Sequence, residues 1–253
     1  MVSEPTPDLR TIYEQRADDY IYRGGDGFPA RKHKGILEQL RGRAPERFLE
    51  VGCGDGPYVA WATGEGFPWC MGVDLSARIL QQARKRVSHE GDPARAWLGV
   101  CDACALPVAD ASVDLVLCTQ VIEHVLDDQA AMSELARVLR PGGCLVVSTD
   151  HDGNRITQLL HVPLLVIRRL LRKPVWHPPF PHRSYSRQEF PELVRGAGLV
   201  VDHVSTYRFS WPARWSRHRG LVRLLDAVEG QLIRRQPFCR WGDILLVVAS
   251  KQL

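Results

Sequence analysis

The sequence predicts an α/β fold in which a mostly parallel sheet is covered by helices on both faces, and three observations lead there. Short apolar segments alternate with helical ones five times between residues 46 and 150. Continuous apolar runs of this kind belong to strands buried on both sides. The first of them runs into LEVGCGDG, with glycines at 52, 54 and 56, and the second ends on Asp74 in MGVDLS about twenty residues later. That spacing builds a βαβ unit: its glycine turn lets backbone approach a ligand, and its acid accepts hydrogen bonds from ribose hydroxyls.

Each element follows in order. Residues 8–41 hold two helical patterns, TIYEQRADDY and RKHKGILEQLRG, and residues 1–45 are read as an N-terminal helical lid. RFLEV, WCMGVD, AWLGVC, VDLVLC and CLVVST are the strands of a core over residues 46–150. Between them, Ser76 caps ARILQQARKRV, and DDQAAMSELARVL brings its apolar positions round at helical spacing. Right-handed crossovers then set the topology. Residues 151–253 supply insertions and the last strands of the same domain. In the first insertion, ITQLLHVPLLVIRRLLRKP is broken by Pro163 and ends in Arg168, Arg169, Arg172 and Lys173. It reads as a cap helix over a substrate pocket, with a lipid-interface helix making peripheral membrane contact as the alternative. The HPPFPHRSYSRQEFPELVRGAGL stretch is an extended proline loop leading to a helix that Ser186 caps and Gly198 ends. LVVDHVSTYRF and DILLVVAS are the final strands. The second insertion between them carries Trp211, Arg214, Trp215, Arg217, Arg219 and Arg223. Such interleaving stacks bases in single-strand binders, but no nucleic-acid module accompanies it here, and packing against the cap is the favoured reading.

Composition narrows the class. A hydrophobic content of 45% matches globular proteins, and no run of 18 uncharged apolar residues occurs. The opening MVSEPTPDLR has no basic, then apolar, leader pattern, so the expected location is cytoplasmic. Seven cysteines fall mostly in or beside buried strands and read as small core residues; Cys101 and Cys104 form a CxxC without a second pair to complete a zinc site. Charge is uneven. Residues 1–150 carry 16 basic and 22 acidic side chains, a net −6, whereas residues 151–253 carry 17 and 7, a net +10. The basic half suits an anionic or lipid-like acceptor, or merely a solvated surface.

Further residues identify the ligand. Glu50 precedes the glycines, Asp102 follows the third strand in CDACALPVADASVDLVLC, and Pro141, Gly142 and Gly143 introduce the fifth strand. This order, over residues 46–150, resembles class I S-adenosylmethionine-dependent methyltransferases, in the small-molecule branch that includes the ubiquinone and menaquinone methyltransferases. The resemblance implies a Rossmann-like three-layer α/β/α sandwich whose seven-stranded sheet has an antiparallel last strand, with a cap insertion after the fifth. It implies S-adenosyl-L-methionine as cofactor, with Glu50, Gly52, Cys53, Gly54 and Gly56 at its amino acid part, Asp74 and Leu75 at the ribose, Asp102 and Ala103 at the adenine, and Thr119 and Gln120 beyond. Tyr20, in RADDY, matches a lid tyrosine that closes over the methionine part. Asp55 inside the glycine turn would repel a pyrophosphate, which disfavours a dinucleotide.

Chemistry is expected after the fourth strand, in CTQVIEHVLD. His124, with Glu123 beside it, is the candidate base for an acceptor that must lose a proton. Its alternative role is packing over the cofactor or starting the next helix. Glu-His here also resembles ubiquinone O-methyltransferases in which an acid three positions earlier joins a divalent cation. Gln120 holds that position, an amide is a poor ligand for a hard cation, and no metal is predicted. His151, His182 and Tyr185 are candidates for acceptor contact. The expected function is methyl transfer to a small-molecule acceptor, by resemblance O-methylation in secondary-metabolite or quinone-type biosynthesis. Alternatives are C-methylation, a lipid-linked or diphosphate-bearing acceptor, or an inactive RNA- or protein-binding module.

Overall fold

A computed structural model describes residues 9–15, 17, 36, 39–40, 42–153, 182–207 and 240–253. Tyr20, most of the cap insertion and the tryptophan- and arginine-rich second insertion lie outside these residues. The described chain runs α1 (Leu9–Gln15), β1 (Arg47–Val51), α2 (Pro57–Gly64), β2 (Trp69–Asp74), α3 (Ala77–Glu90), β3 (Ala96–Val100), β4 (Val113–Thr119), α4 (Asp128–Val138), β5 (Leu139–Asp150), α5 (Glu189–Gly196), β6 (Val200–Tyr207) and β7 (Ile244–Ser250).

Seven strands form one sheet in the order β3-β2-β1-β4-β5-β7-β6. β7 pairs antiparallel with both β5 and β6, and the remaining pairs are parallel. The sheet is two-faced because each central strand alternates its contacts. Leu49, Val116, Cys118, Leu145 and Val147 pack with Met132 and Leu135 of α4 and Phe190 and Val194 of α5. Their neighbours Phe48, Leu115, Leu117 and Val146 pack on the other side with Val59 of α2, Leu80, Ala83 and Val87 of α3, and Ile36 and Leu40. Each large aliphatic side chain buried in this way stabilises the fold by about 1.5–3 kcal/mol. The three-layer sandwich is therefore built from both faces of the same strands.

Local chemistry sets the helix ends. Ser76 Oγ accepts from the Ile79 N–H at 3.2 Å, and Asp127 caps α4 through the Ala130 N–H at 2.8 Å. Before α5, Ser186 and Glu189 exchange side-chain and backbone bonds at 3.1 Å in a capping box, and the chain leaves through Gly198. One boundary differs from expectation. β5 begins at Leu139, ahead of Pro141, Gly142 and Gly143, because Leu139 pairs with Val113 and a register shift between Val113 and Leu115 absorbs the three residues.

The order reverses between β1 and β4: β2 and β3 lie to one side of β1, and β4 to the other. In open α/β sheets the crevice outside the strand C-termini at such a point is where ligands bind. No helix among the described residues is long and apolar enough to cross a membrane.

Lys251 fastens the end of the chain to α4, its Nζ donating to the carbonyls of Ala136 and Leu139 at 2.8 Å. These are the unpaired carbonyls of the helix C-terminus, where a cation is also favoured by the helix dipole. Lys251→Met is expected to cost about 1–2 kcal/mol of stability, read from urea unfolding. A midpoint unchanged from the natural protein would remove Lys251 from the account of the fold.

Candidate functional site

A cavity of about 960 Å³ opens at this reversal point. Four strand ends build its wall: Glu50, Gly52, Cys53, Gly54 and Asp55 at β1, Asp74 and Leu75 at β2, Cys101, Asp102, Ala103 and Cys104 after β3, and Thr119, Gln120 and Val121 after β4. His124, Val125 and Leu126 continue the wall, and Leu9, Arg10 and Tyr13 of α1 face it from the N-terminal side.

The glycine turn has a steric cause. Gly52 sits at φ +71°, and a Cβ there would collide with the Val121 side chain. Gly56, at φ +74°, caps α2, and a Cβ on it would lie 3.0 Å from that of Ala83. Gly56 thus supports the loop from beneath and is not part of the wall. The N–H groups of Gly52 and Cys53 both donate to the Val73 carbonyl, at 2.8 and 2.9 Å, which pins the turn to β2. Asp74 completes the arrangement: one carboxylate oxygen accepts from the Gly54 N–H at 2.9 Å, the other from the Ser76 N–H at 3.0 Å.

Acidity dominates this end. Glu50 is 2% exposed and accepts from the Val59 N–H. Burial pushes its carboxyl well above the usual range, and neighbouring Asp55 and Asp74 push it further. Burial also raises Asp74, against the N–H bonds from Ser76, Gly54 and Leu75. Asp55 is different. Arg86 of α3 meets its carboxylate at 2.7 Å and its backbone carbonyl at 3.1 Å. Its charge is therefore matched inside the protein, so repulsion of phosphate by Asp55 does not discriminate between nucleotides as the sequence suggested. Among the described residues, Glu50, Asp74 and Asp102 line the wall without a salt bridge such as Asp55 has, and carboxylates there suit a positively charged ligand. Cys101 and Cys104 are partly exposed on the wall and not core residues; burial and the Asp102 charge hold both thiols up at about 11.

Gln120 is an exception to ordinary backbone geometry. It adopts φ +55°, and its Nε2 is buried with no hydrogen-bond partner among the described residues. Strained backbone and unpartnered buried donors are features that concentrate at ligand sites.

The other expected residues lie behind this wall. Glu123, in a single 3-10 turn over Ile122–His124, is 2% exposed and accepts from the Thr149 hydroxyl at 3.0 Å. Burial and the Asp150 charge push its carboxyl up to about 8. It buttresses the wall and does not line it. His182 pairs with Asp150 at 2.9 Å, and its ring centroid lies 5.2 Å from that of His124. His151 is 3% exposed and bonded to the Gly242 carbonyl, and Tyr185 is 1% exposed with its hydroxyl on Asp128. Neither lines the cavity among the described residues. This departs from the expectation of acceptor contact, because both side chains satisfy their polar atoms inside the core where β5 meets the 185 segment.

Residues 49–147 match the model of a family described as "Methyltransferase domain". A probable S-adenosylmethionine-dependent methyltransferase of Mycolicibacterium smegmatis is 32% identical over 85% of this chain and 75% of its own length. The chain belongs to the S-adenosylmethionine-dependent methyltransferases. A second relative, the 27-O-demethylrifamycin SV methyltransferase of Amycolatopsis mediterranei, is 34% identical over 71% of this chain and 64% of its own. Among solved structures, phosphoethanolamine N-methyltransferase 2 of Haemonchus contortus shares the fold with a TM-score of 0.65 at 19% identity, over 98% of this chain and 61% of that one. The chain spans from 40% to 75% of the length of the curated relatives it matches.

For a methyltransferase of this family the cofactor is S-adenosylmethionine, and the residues present fit it. At Gly54, on the cavity wall, a Cβ would meet only the Ile79 side chain, at 3.8 Å, so the backbone there is open to a ligand, and the wall carboxylates suit a sulfonium and an ammonium group. Three contributors had no signal in the sequence: Tyr13 and Glu14 of α1, and Arg86. Their partners lie tens of residues away, and Arg86 in particular is one of three cations in the ARKR run with nothing in the sequence to single it out.

Glu123 generates a pH prediction. Its carboxyl is raised in the folded protein relative to the unfolded chain, so the neutral form stabilises the fold at low pH. That contribution is lost as pH rises from about 4.5 through about 8. The melting temperature should fall between about pH 5 and pH 8, and Glu123→Gln should flatten the slope. A variant that keeps the full slope would assign the titration to another group.

Proposed function

We propose that this cavity binds S-adenosylmethionine along the glycine turn, Asp74 and Asp102, and presents it to the oxygen of a small-molecule acceptor held near His124. The observation that carries the reading is that one cavity at the strand-order reversal is lined both by the carboxylates Glu50, Asp74 and Asp102 and, at the end of the wall that follows β4, by His124 with the apolar Val121, Val125 and Leu126.

When bound, the cofactor supplies a methyl group already activated by positive sulfur. The protein's part is then to position. Asp74, pre-oriented by Gly54 and Ser76, retains lone pairs for the ribose hydroxyls. The wall at 52–55 and α1 exclude water from the donor, and alignment of two reactants in this way lowers the barrier by several kcal/mol. His124 takes the acceptor's hydroxyl proton as the oxygen attacks, and His182 with Asp150 stands directly behind it to hold the ring. Gln120 offers its unpaired amide N–H to an oxygen of donor or acceptor. An apolar, hydroxylated acceptor of the secondary-metabolite kind fits this end, and the rifamycin O-methyltransferase relative supports oxygen as the nucleophile.

Incubation of the protein with methyl-labelled donor and a panel of hydroxylated natural products tests the reaction. Asp74→Asn is expected to weaken donor binding at least about tenfold by calorimetry. His124→Gln should lower kcat by about a hundredfold or more, leave donor affinity within about threefold, and abolish the acidic limb of the pH–rate profile, where protonation silences the base. Full turnover in His124→Gln would remove the base from the mechanism, and labelling at carbon or nitrogen would replace the acceptor class.

A further inference from the structure

One side chain of α1 ties this helix to the N-terminus of α3. Glu14 reaches the N-terminus of α3, 63 residues away in the chain, where its Oε1 accepts from the Ala77 N–H at 2.6 Å. Its Oε2 accepts from the Arg78 N–H and from Ser76 Oγ, both at 3.1 Å. With Ser76 Oγ itself accepting from Ile79, the first three N–H groups of a fourteen-residue helix are satisfied, two of them by a residue of another element. A carboxylate there is also favoured by the helix dipole. Partial burial opposes the charge on Glu14, but the bonds from Ala77, Arg78 and Ser76 and the nearby Arg10 outweigh it and hold the carboxyl below its usual range.

Two neighbours give this contact a functional meaning. Ser76, which donates to Glu14 through its hydroxyl, donates through its backbone to Asp74, and Asp74 in turn accepts from the glycine turn. On the same helix as Glu14, Leu9, Arg10 and Tyr13 line the cavity, and the Tyr13 ring meets His124 edge-on with centroids 6.3 Å apart. One short helix thus touches both the ribose-side carboxylate network and the histidine.

We infer that Glu14 is a positioning residue, a latch that holds α1 closed over the cavity by sharing the α3 terminus with Asp74, and so slows escape of the bound cofactor. The inference rests on the reading of this cavity as the donor site. Entry and release then require the three bonds of Glu14 to break together, while the core beneath stays intact. Gln at 14 keeps one acceptor but loses the charge, and Asp keeps the charge but is one methylene too short to bridge Ala77 and Arg78.

Two measurements on the full chain test it. The first is amide hydrogen exchange over residues 9–15 in the ligand-free protein, which reports undocking of α1 without any cofactor. The second is the release rate of S-adenosylmethionine by stopped flow. Glu14→Gln and Glu14→Asp are each expected to speed both by roughly five- to tenfold, the loss of a helix cap. Gln15→Ala, on the exposed side of the same helix, should change neither by more than about twofold. Wild-type exchange and release in both Glu14 variants overturn the latch. Faster exchange with unchanged release also overturns it, because α1 would then open without controlling the cofactor. Absence of any cofactor binding by the natural protein would sink the donor-site reading instead, whatever α1 does. Unfolding midpoints of the variants within a few degrees of wild type separate undocking from general loss of structure.

Discussion

One carboxylate, that of Asp74, receives backbone N–H groups from two different elements, and the geometry of the cavity depends on that convergence. Gly54 belongs to the turn after β1, and Ser76 begins α3 after β2. Fixing both to a single side chain sets the separation of the two strand ends. The same turn is held from below by the Val73 carbonyl and from the side by Arg86 on Asp55. A buried carboxylate without such partners is costly; the N–H bonds to Asp74 offset part of the cost of its burial, which still raises its carboxyl above the usual range.

Behind the wall a second polar layer does different work. Glu123, Thr149, Asp150 and His182 lie under or beside the turn that carries His124, and none lines the cavity. Glu123 and Thr149 are buried and hydrogen-bonded to each other, and a satisfied buried pair of this sort rigidifies the turn in front of it, whereas His182 and Asp150 pair with about a third of each side chain exposed. The histidine on the wall has ring contacts with both His182, at 5.2 Å between centroids, and Tyr13, at 6.3 Å.

The fold was legible in the sequence for a simple reason: each central strand is apolar on both faces, which only a covered parallel sheet accommodates. The strand runs RFLEV, WCMGVD and VDLVLC fall where β1, β2 and β4 do, and the Ser76 and Ser186 caps stand where local pattern put them. On the wall, Gly52, Gly54, Asp74, Asp102 and His124 were legible as well, since turn chemistry and strand-end acids are local signals. Glu123, His151 and Tyr185 were not. A histidine or glutamate after a strand reads the same whether it faces a cavity or the core, and the direction is fixed by which neighbours satisfy its polar atoms.

Glu14 and Arg86 mark the limit most clearly. In the sequence each is an ordinary charge on a helix; in the fold each reaches a partner 31 to 64 residues distant. The sequence alone determined the succession of strands and helices in the first half, the glycine turn and the acid that follows the second strand, because those depend on spacing along the chain. The tertiary structure alone decided which charges are matched, which side chains line the cavity and how the first helix is fastened, because those depend on distances that close only when the sheet has formed.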